Sequence, residues 1–355
     1  MEKIQNRIEW VDALKFLGIF AIYLGHFGKA IGKLFPFVFL YHVPLFFFVS
    51  GFFARSTKKP SLTYYKDKAL QLMLPYFVFS LVALIYFSVI NNWRFSQIID
   101  VAWRFLMGIR NNLYAETLWF FPCLFIIEVV HYTLLKFTKN IYIPFGISII
   151  LFAVSQILLP NNPVQKPSLF MNIDSAMYYY IYFAIGSISF PYISKKFTLL
   201  SQSEKILRVT MIIISILFAF ICFTKGGEWL SSKTVSFFPF LAGHYSAIYL
   251  FSLLPMALII IYFNIWLAKC ISKIGIFKKM GRETLIFCGT EKVFKNIFLR
   301  LISSFGWDKS FPNPIVTIIY CFGCLLVSYY MVVPTLNRFV PRLVGKKPYL
   351  AGKLS

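Results

Sequence analysis

The chain is poor in charged residues, and above all in acidic ones. Only 14% of its 355 residues are charged, and Asp and Glu together number 13, whereas 59% are hydrophobic and 20% are aromatic. This leaves too little polar surface to cover a water-soluble globule, and apolar runs recur along the whole length. A soluble enzyme on a single anchor is therefore excluded, and we expect an all-α polytopic membrane protein.

The sequence also lacks several signatures of nucleotide-dependent and soluble enzymes. It has no phosphate-binding glycine loop, no H-E-x-x-H, no G-x-S-x-G and no dinucleotide fingerprint. Cys321 and Cys324 form a C-x-x-C, but they lie in an apolar run without nearby His or carboxylate partners. We therefore predict no metal site and no permanently bound cofactor, and the six cysteines imply no disulfide framework.

What the chain does contain is a series of apolar stretches, each long enough to cross a membrane. A crossing helix needs about 17–25 mostly apolar residues. The stretch around 95–108 is more typical of a helix that lies in the membrane interface. We predict about ten spans, near 11–30, 34–54, 70–90, 118–137, 142–160, 174–194, 207–224, 245–268, 284–304 and 314–334.

Basic residues indicate the orientation of these spans. If the N-terminus is inside, the cytoplasmic loops hold more than twice as many Lys and Arg residues as the outer loops, as the positive-inside rule requires. We predict that both termini are cytoplasmic, that residues 1–340 form one integral membrane domain and that residues 341–355 form a short basic cytoplasmic tail. The net charge of +23 then indicates affinity for anionic lipid headgroups, and no nucleic acid partner is expected.

The first predicted span carries three ionisable residues on one helical stripe. Lys15 and His26 are eleven residues apart, which places them roughly 20° from eclipsed on an α-helix, and Asp12 lies about 40° to the other side. Ionisable groups inside a membrane are costly unless they serve a site or a pathway. Asp12 and Lys15 alone could mark the cytoplasmic lip and snorkel, but that reading does not explain His26.

Two further polar residues are expected near the outer leaflet with His26. His42 lies early in the second span, which Pro44 is expected to kink, and Glu116 precedes the fourth span. An imidazole can accept a proton from a hydroxyl, and a neighbouring carboxylate can hold its tautomer. This is the minimum equipment for acyl transfer to an alcohol. A hydrogen bond between helices is the alternative for His42 and the role that we expect for His131.

A basic loop after the second span offers a surface for an anionic donor. Its cations could hold the phosphates of a coenzyme, or they could be ordinary positive-inside anchors. The basic residues are Arg55, Lys58, Lys59, Lys66 and Lys68.

Three segments resemble a known family. RIEWVDALKFLGIFAIYLGH, YHVPLFFFVSGFF and LWFFPCLFIIE are similar to the acyltransferase 3 family of integral membrane acyltransferases, especially its branch related to fucose 4-O-acetylase. The resemblance covers the first four spans well and the remainder weakly. It implies a multi-pass protein of the cell membrane that transfers an acyl group, usually acetyl from cytoplasmic acetyl-CoA, to a hydroxyl of a surface polysaccharide or a lipid-linked sugar.

The resemblance also implies roles for particular residues. His26 matches the family's catalytic candidate and Lys15 the basic residue eleven positions earlier, while Glu116 matches a glutamate near the site, just before the segment that contains Trp119. The family's basic pair near the third span is implicated with the coenzyme, and Lys66 and Lys68 lie in that neighbourhood. Later, MGRETLIFCGTEKVF departs from the family pattern, because Glu291 falls close to where a His is usual.

The leading hypothesis from the sequence is therefore a membrane O-acetyltransferase. His26 would act as general base and Glu116 as its orienting or electrostatic partner. The remaining candidates for binding donor or acceptor are Asp12, Lys15, His42, Lys66, Lys68, Trp119 and Glu291. The alternative is a transporter or channel with the buried ionisable residues on its path.

Overall fold

The computed structural model describes residues 7–54, 60–195, 197–237, 245–306 and 313–345. Within these ranges the chain forms helices joined by turns, without a β-strand. Arg55, Lys58 and Lys59 of the basic loop, His244, and residues 346–355 of the predicted tail lie outside the described residues.

Sixteen α-helices are present in the described residues. They are α1 Glu9–His26, α2 Leu34–Phe39, α3 His42–Gly51, α4 Ser61–Lys68, α5 Leu74–Ile90, α6 Phe95–Met107, α7 Phe120–Thr138, α8 Tyr142–Ile157, α9 Ile173–Ser194, α10 Gln202–Lys225, α11 Trp229–Phe237, α12 Tyr245–Ile271, α13 Gly275–Gly281, α14 Thr284–Ser304, α15 Pro314–Val327 and α16 Val333–Phe339.

Six helical segments of the described chain are long and apolar enough to cross a membrane. Every one of the ten predicted spans falls on helix, but α1, α8, α9 and α14 are outside this group, so the count of ten stays a prediction. The six segments are Leu34–Gly51, Ser61–Ile90, Glu116–Thr138, Gln202–Lys225, Phe251–Ile271 and Pro314–Phe339.

The described chain divides into two compact units, and the first is built around α1. This unit comprises Met1–Phe53, Tyr182–Thr284 and Phe311–Phe322. Most residues of α1 are buried, and α1 contacts α2, α3, α12 and α13. The central position of α1 explains why its polar residues are held by side chains from distant parts of the sequence.

Glycines allow two helices of the first unit to meet backbone to backbone. A Cβ added to Gly51 of α3 would overlap the carbonyl oxygen of Phe183 in α9. A Cβ added to Gly186 of α9 would likewise overlap the carbonyl oxygen of Phe48 in α3. Small residues permit such close packing of membrane helices. The two contacts fix α3 against the C-terminal half of α9.

The second predicted span contains a break that was not expected from the sequence. The helix ends at Phe39 and a new one begins at His42, after a turn in which Tyr41 leaves the helical conformation (φ −137°, ψ −21°). Pro44 was expected to kink this span, and the span is interrupted at Leu40 and Tyr41, where a proline four residues later leaves a backbone carbonyl without its helical N–H partner. Pro44 is the third residue of α3, where a backbone N–H would have no partner within the helix, so proline costs nothing there.

The second unit comprises Ala54–Ile181, Leu285–Ser310 and Gly323–Ser355. Here two π-helical segments each end two residues before a proline, at Ala69–Met73 before Pro75 and at Ser328–Val332 before Pro334. Because proline cannot donate to the carbonyl four residues earlier, a locally widened helix accommodates it. The predicted interfacial stretch forms α6, whose exposed stripe carries Phe95, Ile99 and Trp103.

Candidate functional site

The N-terminal end of α1 is held by ion pairs in the first unit. The Asp12 carboxylate is buried and accepts hydrogen bonds from Nε of Arg7 at 2.9 Å and Nε of Arg282 at 3.2 Å. One turn earlier, Glu9 accepts from Nζ of Lys278 at 2.8 Å. Asp12 therefore joins α1 to the end of α13, and its charge is balanced locally.

Lys15 lies one turn further along α1 and is half-buried. Its Nζ atom is 5.3 Å from the centroid of the Phe53 ring, just beyond α3. This distance is typical of a cation–π contact. The ammonium is thus kept among aromatic and polar groups at the same end of α1 as Asp12.

His26 is the last residue of α1 and is half-buried. The residue before it packs closely, because the Phe39 ring lies 3.1 Å from where a Cβ on Gly25 would sit. The same Phe39 ring meets the His42 ring edge-on at 4.8 Å. Phe39 therefore contacts both the C-terminal turn of α1 and the imidazole at the start of α3.

His42 is buried, and its Nδ1 atom is 2.7 Å from the carbonyl oxygen of Val38. That carbonyl belongs to α2, on the other side of the break at Leu40 and Tyr41. The hydrogen bond bridges the interruption in the second predicted span. This gives His42 a structural role in the turn.

In the second unit Glu116 is paired with a lysine that comes much later in the chain. Nζ of Lys292, on α14, donates to Oε1 of Glu116 at 2.8 Å and lies 5.9 Å from the centroid of the Tyr114 ring. The Glu116 side chain is 56% exposed, so this carboxylate remains accessible. Its charge is partly balanced by Lys292.

Trp119 is buried beneath an arginine. The Arg110 guanidinium lies 4.5 Å from the centroid of the Trp119 ring, and its Nη1 donates to the Tyr179 hydroxyl at 3.1 Å. The Trp119 and Tyr179 rings are themselves 5.6 Å apart. Because Trp119 is only 6% exposed, it packs the wall of this region and does not offer an open aromatic surface.

Glu291 lies on α14 and is fully buried, with Nζ of Lys295 at 2.8 Å from Oε1. The same helix is joined to the segment before α7, because the Thr117 hydroxyl donates to the Cys288 carbonyl oxygen at 2.7 Å. Through this bond and the Lys292 pair, α14 brings Glu291 and Glu116 into one region of the second unit. The two glutamates are 175 positions apart in the sequence.

The two lysines proposed for coenzyme binding have different surroundings. Lys68 forms an ion pair with Glu128 on α7 and lies 5.7 Å from the centroid of the Tyr64 ring, which in turn stacks on Tyr132 at 3.8 Å. Lys66 is exposed on α4. Between these two, Lys66 is the better placed to meet a soluble anion.

His131 has the role expected of it. Its Nδ1 atom lies 3.1 Å from the Tyr180 hydroxyl, and both residues are in the second unit, on α7 and α9. The prediction of a hydrogen bond between helices is confirmed for this residue. His131 is therefore a packing residue and not a candidate base.

The partners of the predicted site residues were missed from the sequence. The sequence shows these partners only as basic residues of loops or interrupted spans, namely Arg282, Arg110 and Lys292. A weak sequence signal for a buried ion pair exists only at Lys292 and Lys295, because they stand in an otherwise apolar stretch.

Across the described ranges, no group of three or more His, Cys, Asp or Glu side chains is arranged as metal ligands.

A comparison with protein families covers nearly the whole chain. A family model described as an acyltransferase domain matches residues 8–333. No curated protein and no solved structure matches. The family match includes α1 and its ionisable stripe as well as α14 with Glu291. The protein is thus a multi-pass membrane acyltransferase, and the chain belongs to the acyltransferase 3 family.

Proposed function

We propose that the protein transfers acetyl from cytoplasmic acetyl-CoA to a hydroxyl of a cell-surface polysaccharide or a lipid-linked glycan. The observation that carries the proposal is the set of ionisable residues on α1, the central helix of the first unit in a chain that belongs to an acyltransferase family. Asp12 and Lys15 lie at one end of this helix and His26 at the other.

His26 is the proposed general base. Its neutral imidazole takes the proton of the acceptor hydroxyl as the oxygen attacks the thioester carbonyl of the donor. The new C–O bond forms, the C–S bond breaks, and the coenzyme leaves as a thiolate that takes up a proton. Such a base contributes roughly 10²–10⁴ in rate. The half-buried position of His26 suits a group that must meet a substrate.

The donor is proposed to enter from the end of α1 that carries Asp12 and Lys15. The coenzyme is polyanionic and does not cross lipid, so its nucleotide stays at the basic cytoplasmic face while its pantetheine arm extends inward. From Lys15 to His26 the helix rises about 16 Å at 1.5 Å per residue, a span that such an arm can cover. In the second unit, exposed Lys66 is proposed to meet coenzyme phosphates.

Glu116 is the second proposed catalytic group. Its exposed carboxylate is held by Lys292 and lies in the region of the second unit that contains buried Glu291. A carboxylate at this position can accept a hydrogen bond from the glycan substrate and so orient it, or it can stabilise positive charge that develops during transfer. Family membership favours this enzymatic role for the ionisable residues over the transporter alternative.

The deciding experiment is mass spectrometry of surface glycans from cells with and without this protein. We expect a glycan species heavier by one acetyl group only where the protein is present, and loss of that species when acetyl-CoA is withheld from membranes in vitro. A different mass increment would show that the protein transfers an acyl group other than acetyl. Identical glycans from both cell types, with uptake of an ion or solute that depends on the protein, would overturn the proposal.

A further inference from the structure

A cleft in the first unit, remote in sequence from His26, has the chemistry of a phosphate-binding site at a membrane surface. Two adjoining hollows of about 600 Å³ and 550 Å³ share Tyr192, Lys195, Arg208 and Tyr262 among their lining residues. They lie where the end of α9, the start of α10 and the end of α12 come together, next to Trp10 at the start of α1.

Among the described residues that line this cleft, three are cations and one is a carboxylate. Lys195, Arg208 and Lys269 line it, and Glu204 pairs with Lys195, with Nζ to Oε1 at 2.9 Å. The C-terminal end of the α9 helix dipole offsets part of the positive charge that remains after the pair with Glu204, but a helix end carries only about half a negative charge. More than one positive charge is therefore left for a ligand.

Two of the three cations are held in place by backbone carbonyl groups at the end of α9 and just beyond it. Arg208 donates from Nη1 to the Lys195 carbonyl oxygen and from Nη2 to the Tyr192 carbonyl oxygen, both at 3.0 Å. Lys269 donates from Nζ to the Ile193 carbonyl oxygen at 3.0 Å and lies 5.0 Å from the Trp10 ring centroid. The charges are thus already oriented before any ligand arrives, which lowers the entropic cost of binding.

The apolar wall of the cleft continues onto the lipid-facing surface of α10. Leu207 and Met211 line the cleft and are 63% and 42% exposed. Further along the same helix Ile214, Leu217 and Phe220 are exposed as well. Exposed apolar side chains on a membrane helix meet acyl chains, while Trp and Tyr side chains favour the headgroup level. A ligand here therefore has an anionic head and apolar tails.

We propose that this cleft binds the headgroup of an anionic phospholipid, with the acyl chains along α10. The basic residues place the site in the inner leaflet under the positive-inside rule. The proposal does not depend on the proposed acetyl transfer, because neither His26 nor a lysine assigned to coenzyme contributes to the cleft.

The test uses the full chain purified in an uncharged detergent and titrated with phosphatidylglycerol or phosphatidylcholine, with bound lipid counted in native mass spectra. We expect phosphatidylglycerol to be retained in preference to phosphatidylcholine. Lys195→Gln and Lys269→Gln should each weaken retention about fivefold, since one basic residue near an anionic membrane surface contributes about that factor.

Two further variants distinguish lipid binding in the cleft from attraction of lipid by the protein's overall positive charge. Lys205→Gln removes one partly exposed charge from the same turn of α10 outside the cleft lining, and it should leave retention unchanged. Glu204→Gln should strengthen retention, because it removes the opposing carboxylate while glutamine keeps the capping box with Ser201. A gain in this variant cannot arise from misfolding.

Three outcomes would overturn the proposal. One is equal retention of both lipids, and another is an equal effect of Lys205→Gln and the cleft variants. The third is displacement of phosphatidylglycerol by millimolar inorganic phosphate or coenzyme A, which would assign the cleft to a soluble phosphate ligand.

Discussion

Gly281 packs so closely on α1 that a Cβ at this position would overlap the carbonyl oxygen of Asp12. The next residue, Arg282, donates to the carboxylate of the same Asp12. Backbone and side chain of one aspartate are therefore both engaged by the end of α13. This junction fixes the start of the helix that carries Lys15 and His26.

Gly281→Ala should destabilise the protein by about 1–3 kcal/mol, because the added methyl group forces the two backbones apart. Gly275→Ala is the matched control on the same helix, since a Cβ there meets nothing within 4 Å and alanine favours helix. The measurement is thermal unfolding of purified protein at one scan rate. Equal melting temperatures for the two variants would show that α13 does not pack on α1 in this way.

Asp12→Asn should cost about 1–3 kcal/mol, because it removes a buried charge that two arginines share. Glu9→Gln breaks a more exposed pair, in which the glutamate side chain is 61% exposed, and should cost less than about 1 kcal/mol. Thermal unfolding ranks the two variants. A double-mutant cycle of Asp12→Asn with Arg282→Gln should show coupling, and simple additivity would contradict the contact.

His26→Ala should lower transfer by about 10²–10⁴-fold while the protein remains in the membrane at normal abundance. Lys29→Ala is the control, because it removes an exposed titratable side chain three residues later and should leave transfer unchanged. Acetyl incorporation into glycan is measured in membranes with matched protein levels. Full activity in His26→Ala would exclude this residue as the base.

Lys66→Gln and Lys68→Gln should have different effects. Lys66 is exposed, so its loss should raise the KM for acetyl-CoA in a salt-dependent manner. Lys68 is paired with Glu128, so its loss should mainly lower the melting temperature. A KM that is unchanged in Lys66→Gln would leave this lysine as an ordinary positive-inside anchor.

The predicted orientation places Lys29 outside and Lys205 inside. The Lys29 side chain is exposed and that of Lys205 is partly exposed, so a cysteine at either position is within reach of a thiol reagent. In a Cys270→Ser background, which removes the exposed native cysteine, a membrane-impermeant reagent added to intact cells should label Lys29→Cys and spare Lys205→Cys. Inverted vesicles should give the opposite pattern, and labelling of both from one side would refute the topology.

Hydrophobic length and the spacing of polar residues were enough to predict the all-helical class, to place each predicted span on helix and to put Asp12, Lys15 and His26 on α1. The 3.6-residue period places Asp12, Lys15 and His26 on one helix regardless of what packs around it. His131 was also predictable, because an imidazole inside an apolar span needs a polar partner.

The partners could not be predicted in the same way. Glu116 and Lys292 are 176 positions apart, and no local pattern specifies which basic residue meets which carboxylate. The break before His42 was missed for a related reason, because proline at the third position of a new helix looks identical in sequence to proline within a continuous one. Tertiary packing decided both.

The paired glycine contacts between α3 and α9 limit how the protein can move. Because Gly51 meets Phe183 and Gly186 meets Phe48, the two helices act as a single rigid brace. A bulky substrate cannot separate these helices without breaking both contacts at once, so substrate does not pass between α3 and α9 at this seam. Any widening that admits donor or acceptor along α1 must therefore take place away from this seam and away from the backbone contact between Gly281 and Asp12.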